Sequence, residues 1–306
     1  MKLSTLRNRI SRRTALLALA LLLGLRLLTH AATPTTIAVT GDIHTPDMKV
    51  VSDVILAHKP LDAVLLVGDT INGKTATLED YLKIHKGTYD RFKSITFPCP
   101  GNHDNRPDSG FKGYCTYWGK IAHPPHLYYS FDLGGWHIIS LNSVTFREGK
   151  EAASRQLSWL KADLEANRGK PIIAYWHYPY FSRAKHCGDT RMRPLWEALL
   201  AHGPALVFCG HNHVYERFPP LDADGNTVQP SAGIQQFVIC PGGAKPTEKQ
   251  KPDATGPLPL VFHAGTHHVG FFVLRPDGWY QFTIKSVDSE GKTAVVDEGS
   301  GKVRSR

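Results

Sequence analysis

The chain has 306 residues, 42% of them hydrophobic and 21% charged, enough to bury a large core in one or two domains. Its formal charge of +9 points toward nucleic acid, but Lys2, Arg7, Arg9, Arg12, Arg13 and Arg26 all fall within the first 31 residues, which hold no acid. The remainder carries 30 bases against 27 acids, so it has no strong electrostatic footprint for nucleic acid.

Residues 1–31 read as an export signal: a basic stretch to Arg13, the apolar run Ala15–Leu25, then Ala31 and Ala32 as small residues at a cleavage site. The run of 11 residues is short of the ~20 that a membrane span needs, and Arg26 ends it, so no permanent membrane anchor is expected. Ser11-Arg12-Arg13 matches a twin-arginine signal in part, with Ala15 where Phe or Leu is usual; two ordinary n-region charges explain it equally well. The protein is expected to be periplasmic or secreted, with residues 32–306 forming one domain.

Short apolar runs then alternate with helical stretches. Ile37–Val39, Ala63–Val67, Ile95–Phe97, Ile172–Tyr175 and Leu206–Phe208 read as strands, and the continuous run of the second suits a sheet covered on both faces. Helices are expected over Met48–His58, Ser154–Asn167, with Leu157, Leu160 and Leu164 on one face, and Arg193–His202. Gly134-Gly135 and Pro276–Gly278 mark two hairpins, and Lys245–Pro259 an exposed loop. Of the five cysteines, Cys209 and Cys240 fall in apolar runs as buried thiols, whereas Cys115 and Cys187, in loop-like sequence, could pair in an oxidising compartment.

Polar groups follow five of these strands: Gly41-Asp42-Ile43-His44, Gly68-Asp69, Gly101-Asn102-His103-Asp104, His177, and Gly210-His211-Asn212-His213. In an α/β sheet ligands bind at the carboxyl ends of strands, where these loops converge. Asp, His and Asn suit borderline divalent metals. Asp42, His44, Asp69, Asn102, His177, His211 and His213 are too many ligands for one tetrahedral ion and suit two ions that share a carboxylate.

This order of motifs resembles the calcineurin-like metallophosphoesterase superfamily. The segments AYWHYPYFS, GHNHVYERFPPLDADG and GIQQFVICPGG are similar to a bacterial secreted branch related to the purple acid phosphatases. The resemblance implies an α/β fold, a four-layer α/β/β/α sandwich of two mixed sheets with the metal site at the strand C-terminal ends. It implies one metal on Asp42, His44, Asp69 and His213, and a second on Asp69, Asn102, His177 and His211, the ions being Fe, Zn or Mn. His103 would face the phosphate as general acid or charge stabiliser, and Asp104 would orient His103 or a ligand, or close a loop turn. Purple phosphatases carry a metal-bound Tyr three residues after the bridging Asp and usually lack a histidine at the position of His44. Here Asn72 and His44 stand at those positions, so a colourless protein is expected.

The expected activity is hydrolysis of small phosphate monoesters. The alternatives are a phosphodiesterase acting on nucleotides or lipid head groups, and a metal-binding protein on an inactive phosphoesterase body. Selectivity for a monoester dianion needs further cationic donors, and no pattern sets Arg183 or Arg191 against the ligands. His186 is a lesser candidate for substrate contact, His137 reads as structural, His267-His268 as facing opposite sides of a strand, and Glu216 and Arg217 as a structural ion pair.

Overall fold

The apolar runs of the sequence become strands and the amphipathic stretches pack over them. The computed structural model describes residues 33–44, 47–71, 73–247, 249–252 and 254–303. Residues 1–31, where an export signal is expected, and Asn72 lie outside the described residues. The elements in chain order are β1 Thr35–Thr40, α1 Met48–Ala57, β2 Ala63–Val67, α2 Leu78–His85, β3 Thr96–Cys99, α3 Lys112–Trp118, β4 Tyr129–Leu133 and β5 Trp136–Ser140. Next come α4 Thr145–Glu148, α5 Lys150–Ala166, β6 Ile172–Tyr175, α6 Arg193–His202, β7 Ala205–Cys209, β8 Tyr215–Arg217 and β9 Ile234–Ile239. The chain closes with β10 Val261–His263, β11 His267–Leu274, β12 Trp279–Val287 and β13 Thr293–Lys302.

Both sheets are mixed. One has the order β13-β12-β11-β1-β2-β3 and the other β10-β8-β9-β7-β6-β5-β4. In the first, β1, β2 and β3 run parallel; in the second, β5, β6, β7 and β9 do. The residues of each central strand alternate between two cores, as the two-residue repeat of a strand requires. In β2, Ala63, Leu65 and Val67 face the core between the sheets, with Phe208, Phe237 and Phe272. Val64 and Leu66 face the opposite way, toward Val51 and Ile55 of α1 and Tyr81 of α2. In β7, Leu206 and Phe208 point inward, while Ala205, Val207 and Cys209 meet Leu160 of α5 and Leu195 of α6. The result is helices, sheet, sheet, helices: the four-layer sandwich expected from the sequence.

Both hairpins form at the expected glycines. The helix expected at 154–167 starts earlier, at Lys150. Helices α2, α3 and α4 and the strands β8, β10 and β13 were not foreseen. A capping box at Thr77 and Asp80 opens α2. The five cysteines are free thiols, Cys115 being in α3 and not in a loop. The expected ion pair of Glu216 and Arg217 does not form. Neighbours on β8 face opposite ways, so Glu216 accepts from Ser182 Oγ and Arg183 N, whereas Arg217 pairs with Asp297 at 2.6 Å.

Candidate metal centre

Five loops at the carboxyl ends of β1, β2, β3, β6 and β7 meet, so the site draws on both sheets. Backbone bonds stitch them together: Asp42 N donates to Gly68 O at 3.0 Å, Ile43 N to Asp69 O at 2.9 Å and Gly210 N to His177 O at 3.0 Å. Three of the expected ligands take the left-handed conformation that side chains rarely adopt: Asp42 (φ 57), Asp69 (φ 44) and His211 (φ 70). Such strain gathers where the surroundings force a side chain into place. Two flanking glycines are required by close approach. A Cβ at Gly101 would lie 2.2 Å from Asp69 Oδ1, and one at Gly210 would lie 2.6 Å from Asp42 Oδ2.

Asp42, Asp69 and His177 form a buried group whose ligand atoms lie within 4.8 Å of one another. His177 Nε2 is 3.3 Å from Asp69 Oδ1 and 3.1 Å from Asn102 Oδ1. His213 Nε2 is 3.1 Å from Asp42 Oδ1. His211 N donates to Asp42 Oδ2 at 3.0 Å, and its ring packs edge-on to that of His177, 5.0 Å between centroids. His44 lies in the same loop as Asp42 and is half-buried, its carbonyl accepting from Met48 N at 3.3 Å.

The donor chemistry tests whether this set fits metal ions. His177 Nδ1 meets Val67 O at 3.0 Å and His213 Nδ1 meets Lys245 O at 2.7 Å. A carbonyl only accepts, so both Nδ1 atoms carry the proton and a neutral ring presents the Nε2 lone pair. Each lone pair then faces oxygen lone pairs of Asp69 and Asn102, or of Asp42. That arrangement needs a cation between the atoms or a proton on the nitrogen. Two carboxylates exposed by 1% or less need the same positive charge. Burial pushes both carboxyls up, but His213 beside Asp42 and His177 beside Asp69 outweigh it and hold both below the usual range. Burial lowers His177, but Asp69 raises it to about 9. His211 is pushed down to about 2 by burial and by the charge of His177, so it is a neutral donor. The residues fit bound metal, with backbone carbonyls orienting the imidazoles from behind.

His103 N donates to Asp69 Oδ1 at 2.7 Å, and its Nε2 lies 3.9 Å from Asp69 Oδ2. Its Nδ1 accepts from Arg106 Nη2 at 3.2 Å. Arginine only donates, so the neutral ring carries its proton on Nε2, the atom on the carboxylate side. Asp104 does not orient His103. It is fully buried and accepts from Gly101 N (2.8 Å), Thr70 N (3.1 Å), Thr70 Oγ1 (2.7 Å) and Tyr81 Oη (2.5 Å), which is the loop-closing role. Thr70 is thereby clamped next to Asp69. His85 Nε2 on its carbonyl (2.7 Å) and Trp118 Nε1 on its hydroxyl (3.1 Å) complete the cage. Burial pushes Asp104 up to about 6, with Asp69 adding to the rise. Thr70, Arg106, Tyr81, His85 and Trp118 were missed; only the three-residue spacing of His103 and Arg106 was there to be read.

Two cavities open beside the cluster. One of about 620 Å³ is lined by His211, His186, Tyr178, Asp189, Arg191 and Arg147. The other, of about 430 Å³, is lined by Asn102, Arg106, Glu148, Tyr178 and again Arg147. His186 therefore lies where substrate contact was considered, its ring 4.8 Å from His211. Arg191 lines the first cavity, whereas Arg183 turns to Gly256 O at 3.4 Å. His137 is structural: its ring bridges Asp132 and Asp163, each at 2.8 Å. His267 pairs with Asp47 at 3.1 Å and His268 contacts His263 at 2.9 Å, so the two do diverge.

The chain matches the family model for calcineurin-like phosphoesterases over residues 35–215. It belongs to that family. The matched span contains every expected ligand as well as His103 and Asp104. The chain is similar to Purple acid phosphatase 21 of Arabidopsis thaliana, 32% identical over 213 residues, covering 61% of this chain and 46% of that one. It spans less than half the length of the curated relatives first matched. Among solved structures it shares its fold with GAP50, the anchor in the inner membrane complex of Plasmodium, at TM-score 0.64 and 14% identity over 90% of each chain. It also resembles purple acid phosphatase PPD1 from yellow lupin (Lupinus luteus) seeds, at TM-score 0.60 and 16% identity over 89% of this chain and 54% of that one. At these identities the two structures speak for the fold alone.

Proposed function

We propose that this calcineurin-like phosphoesterase is an exported hydrolase of small phosphate monoesters that works with two metal ions. One ion is assigned to Asp42, His44, Asp69 and His213, the other to Asp69, Asn102, His177 and His211, with Fe, Zn and Mn all compatible with such ligands. The observation that carries the reading is the pair of Nε2 atoms of His177 and His213, each aimed at carboxylate oxygen with its Nδ1 proton already committed to a carbonyl. Bound there, the metals supply an activated water for attack on phosphorus and offset phosphoryl charge.

The chain supplies the rest. His103 Nε2–H hydrogen-bonds the departing ester oxygen and stabilises the negative charge that grows there as the bond to phosphorus breaks. Arg106 keeps that proton on Nε2 by occupying Nδ1. Tyr178 and His211, their rings edge-on at 4.6 Å, wall the reacting space on one side. Export is supported by the basic stretch and apolar run that precede Ala31.

The test measures bound metal together with kcat/KM on an aryl phosphomonoester and the matching diester. The reading expects close to two ions per chain, monoester preference, and loss of turnover on chelation that returns with metal. Diester preference would make the protein a phosphodiesterase. Metal without turnover on either ester would leave a binding protein on a phosphoesterase body.

A further inference from the structure

Arg147 lies in α4, the four-residue helix after β5, and no sequence pattern singled it out. It lines both cavities beside the site, the one that contains His211 and the one that contains Asn102. These two residues belong to the same proposed ligand set, so a group bound across that ion meets Arg147 from either side. Its guanidinium carbon sits 4.3 Å above the ring of Tyr178, and that ring meets His211 edge-on at 4.6 Å. Stacking on a ring face holds the plane of the guanidinium while its N–H groups still point outward at the rim.

The charge of Arg147 is only partly answered. Its Nε lies 3.5 Å from Asp189 Oδ2, whereas Arg191 Nε takes Oδ1 of the same carboxylate at 2.8 Å. One carboxylate shared by two guanidinium groups leaves the His211 cavity with net positive charge. On the other side Glu148 lines the Asn102 cavity and accepts from Asn105 Nδ2. The fork of arginine matches two oxygens of a phosphate.

Resting on the phosphoesterase reading, we infer that Arg147 is a specificity-determining residue that binds the non-bridging oxygens of a phosphomonoester dianion and thereby selects monoesters over diesters. A monoester dianion has three non-bridging oxygens and two charges. A diester has two such oxygens and one charge, and its second substituent takes the place of the oxygen that Arg147 would grip. The cation therefore stabilises the bound monoester much more than the bound diester.

The experiment compares the metal-loaded full chain with Arg147→Met and Arg147→Lys. It reads kcat/KM on an aryl phosphomonoester and an aryl methyl diester, affinity for inorganic phosphate by calorimetry, metal content and Tm. Arg147→Met is expected to lose at least tenfold in kcat/KM on the monoester, mainly through KM, and less than threefold on the diester. Phosphate affinity is expected to fall by a similar factor at unchanged metal content, with Arg147→Lys recovering part of each loss. Equal losses on both esters, or unchanged phosphate affinity, would overturn the inference. If the metal-loaded wild type turns over neither ester, the phosphoesterase reading has failed. Calorimetry still decides Arg147 in that case: phosphate binding that Arg147→Met weakens tenfold supports its role, and equal binding overturns it.

Discussion

At the residue scale Asp69 carries the heaviest demand. One carboxylate, 1% exposed, accepts from His103 N, faces His177, and sits on a backbone at φ 44. Asparagine tolerates that backbone and keeps the shape, so Asp69→Asn removes charge with little disturbance of the turn. Metal content is expected to fall by at least one ion per chain and kcat by ~10²-fold or more; a variant with full metal and full activity would remove the bridging role. Arg106 acts one step away. With Arg106→Met, Nδ1 of His103 loses its donor and the proton divides between the two ring nitrogens. An even division halves the productive tautomer, so kcat falls roughly twofold, about 0.4 kcal/mol. KM should hold and Arg106→Lys should restore part of kcat. A change in KM alone would instead mark Arg106 as a substrate contact. Asn72 makes an optical prediction: with no phenol three residues after Asp69, the iron-loaded protein should show no phenolate-to-iron band in its visible spectrum.

At the element scale the hairpin β4–β5 is tied to α5 through His137, which lies between Asp132 on β4 and Asp163 on α5. Burial lowers this imidazole, but the hydrogen bond to Asp163 and then that to Asp132 outweigh it, so its pKa is raised. A raised folded-state value adds stability that is complete below the unfolded pKa of ~6.5 and is lost as pH climbs through the folded value. Urea unfolding of the wild type and His137→Gln from pH 5.5 to 8.5 should show a gap of about 1–2 kcal/mol at the acid end that closes toward the alkaline end. A gap independent of pH would mean the ring packs without its charge. This clamp also shows what the sequence could reveal of the elements. β2, β6 and β7 were legible because strands buried on both faces are unbroken apolar runs. β13 was not, since an edge strand that contains Asp297 and Glu298 and has five exposed residues looks like loop until β12 pairs with it. The ligand loops were legible because each ends a strand in Gly and a polar residue. Thr70 and Arg147 were not, because their partners come from distant segments: Asp104 is 34 positions from Thr70, and Tyr178, which stacks on Arg147, lies on the loop after the next strand, β6.

At the scale of the whole molecule the site is a seam. Asp42, Asp69 and Asn102 follow strands of one sheet, while His177, His211 and His213 follow strands of the other. Polar contacts cross the seam, among them His177 Nδ1 to Val67 O, His177 Nε2 to Asn102 Oδ1, His211 N to Asp42 Oδ2, and His213 Nε2 to Asp42 Oδ1. The shared fold does not fix what such a seam does, since GAP50 is described as an anchor and PPD1 as a phosphatase. The ligand set decides, and it couples metal to folding because no unfolded chain brings these residues together. At free metal ~1,000 times its Kd, binding adds ~4 kcal/mol, and in a chain this long that moves Tm by roughly 8 to 16 °C. Chelation should therefore lower Tm by that order and abolish ester hydrolysis in step, with the far-UV circular dichroism of the chelated protein unchanged at 25 °C. Asp42→Asn, which removes one carboxylate from the seam, should have a smaller Tm shift on chelation than the wild type. If chelation ended turnover while Tm stayed put in both proteins, the metals would be guests on a seam already closed, and the two sheets would owe their alignment to the apolar core between them and to the polar bonds that cross the seam.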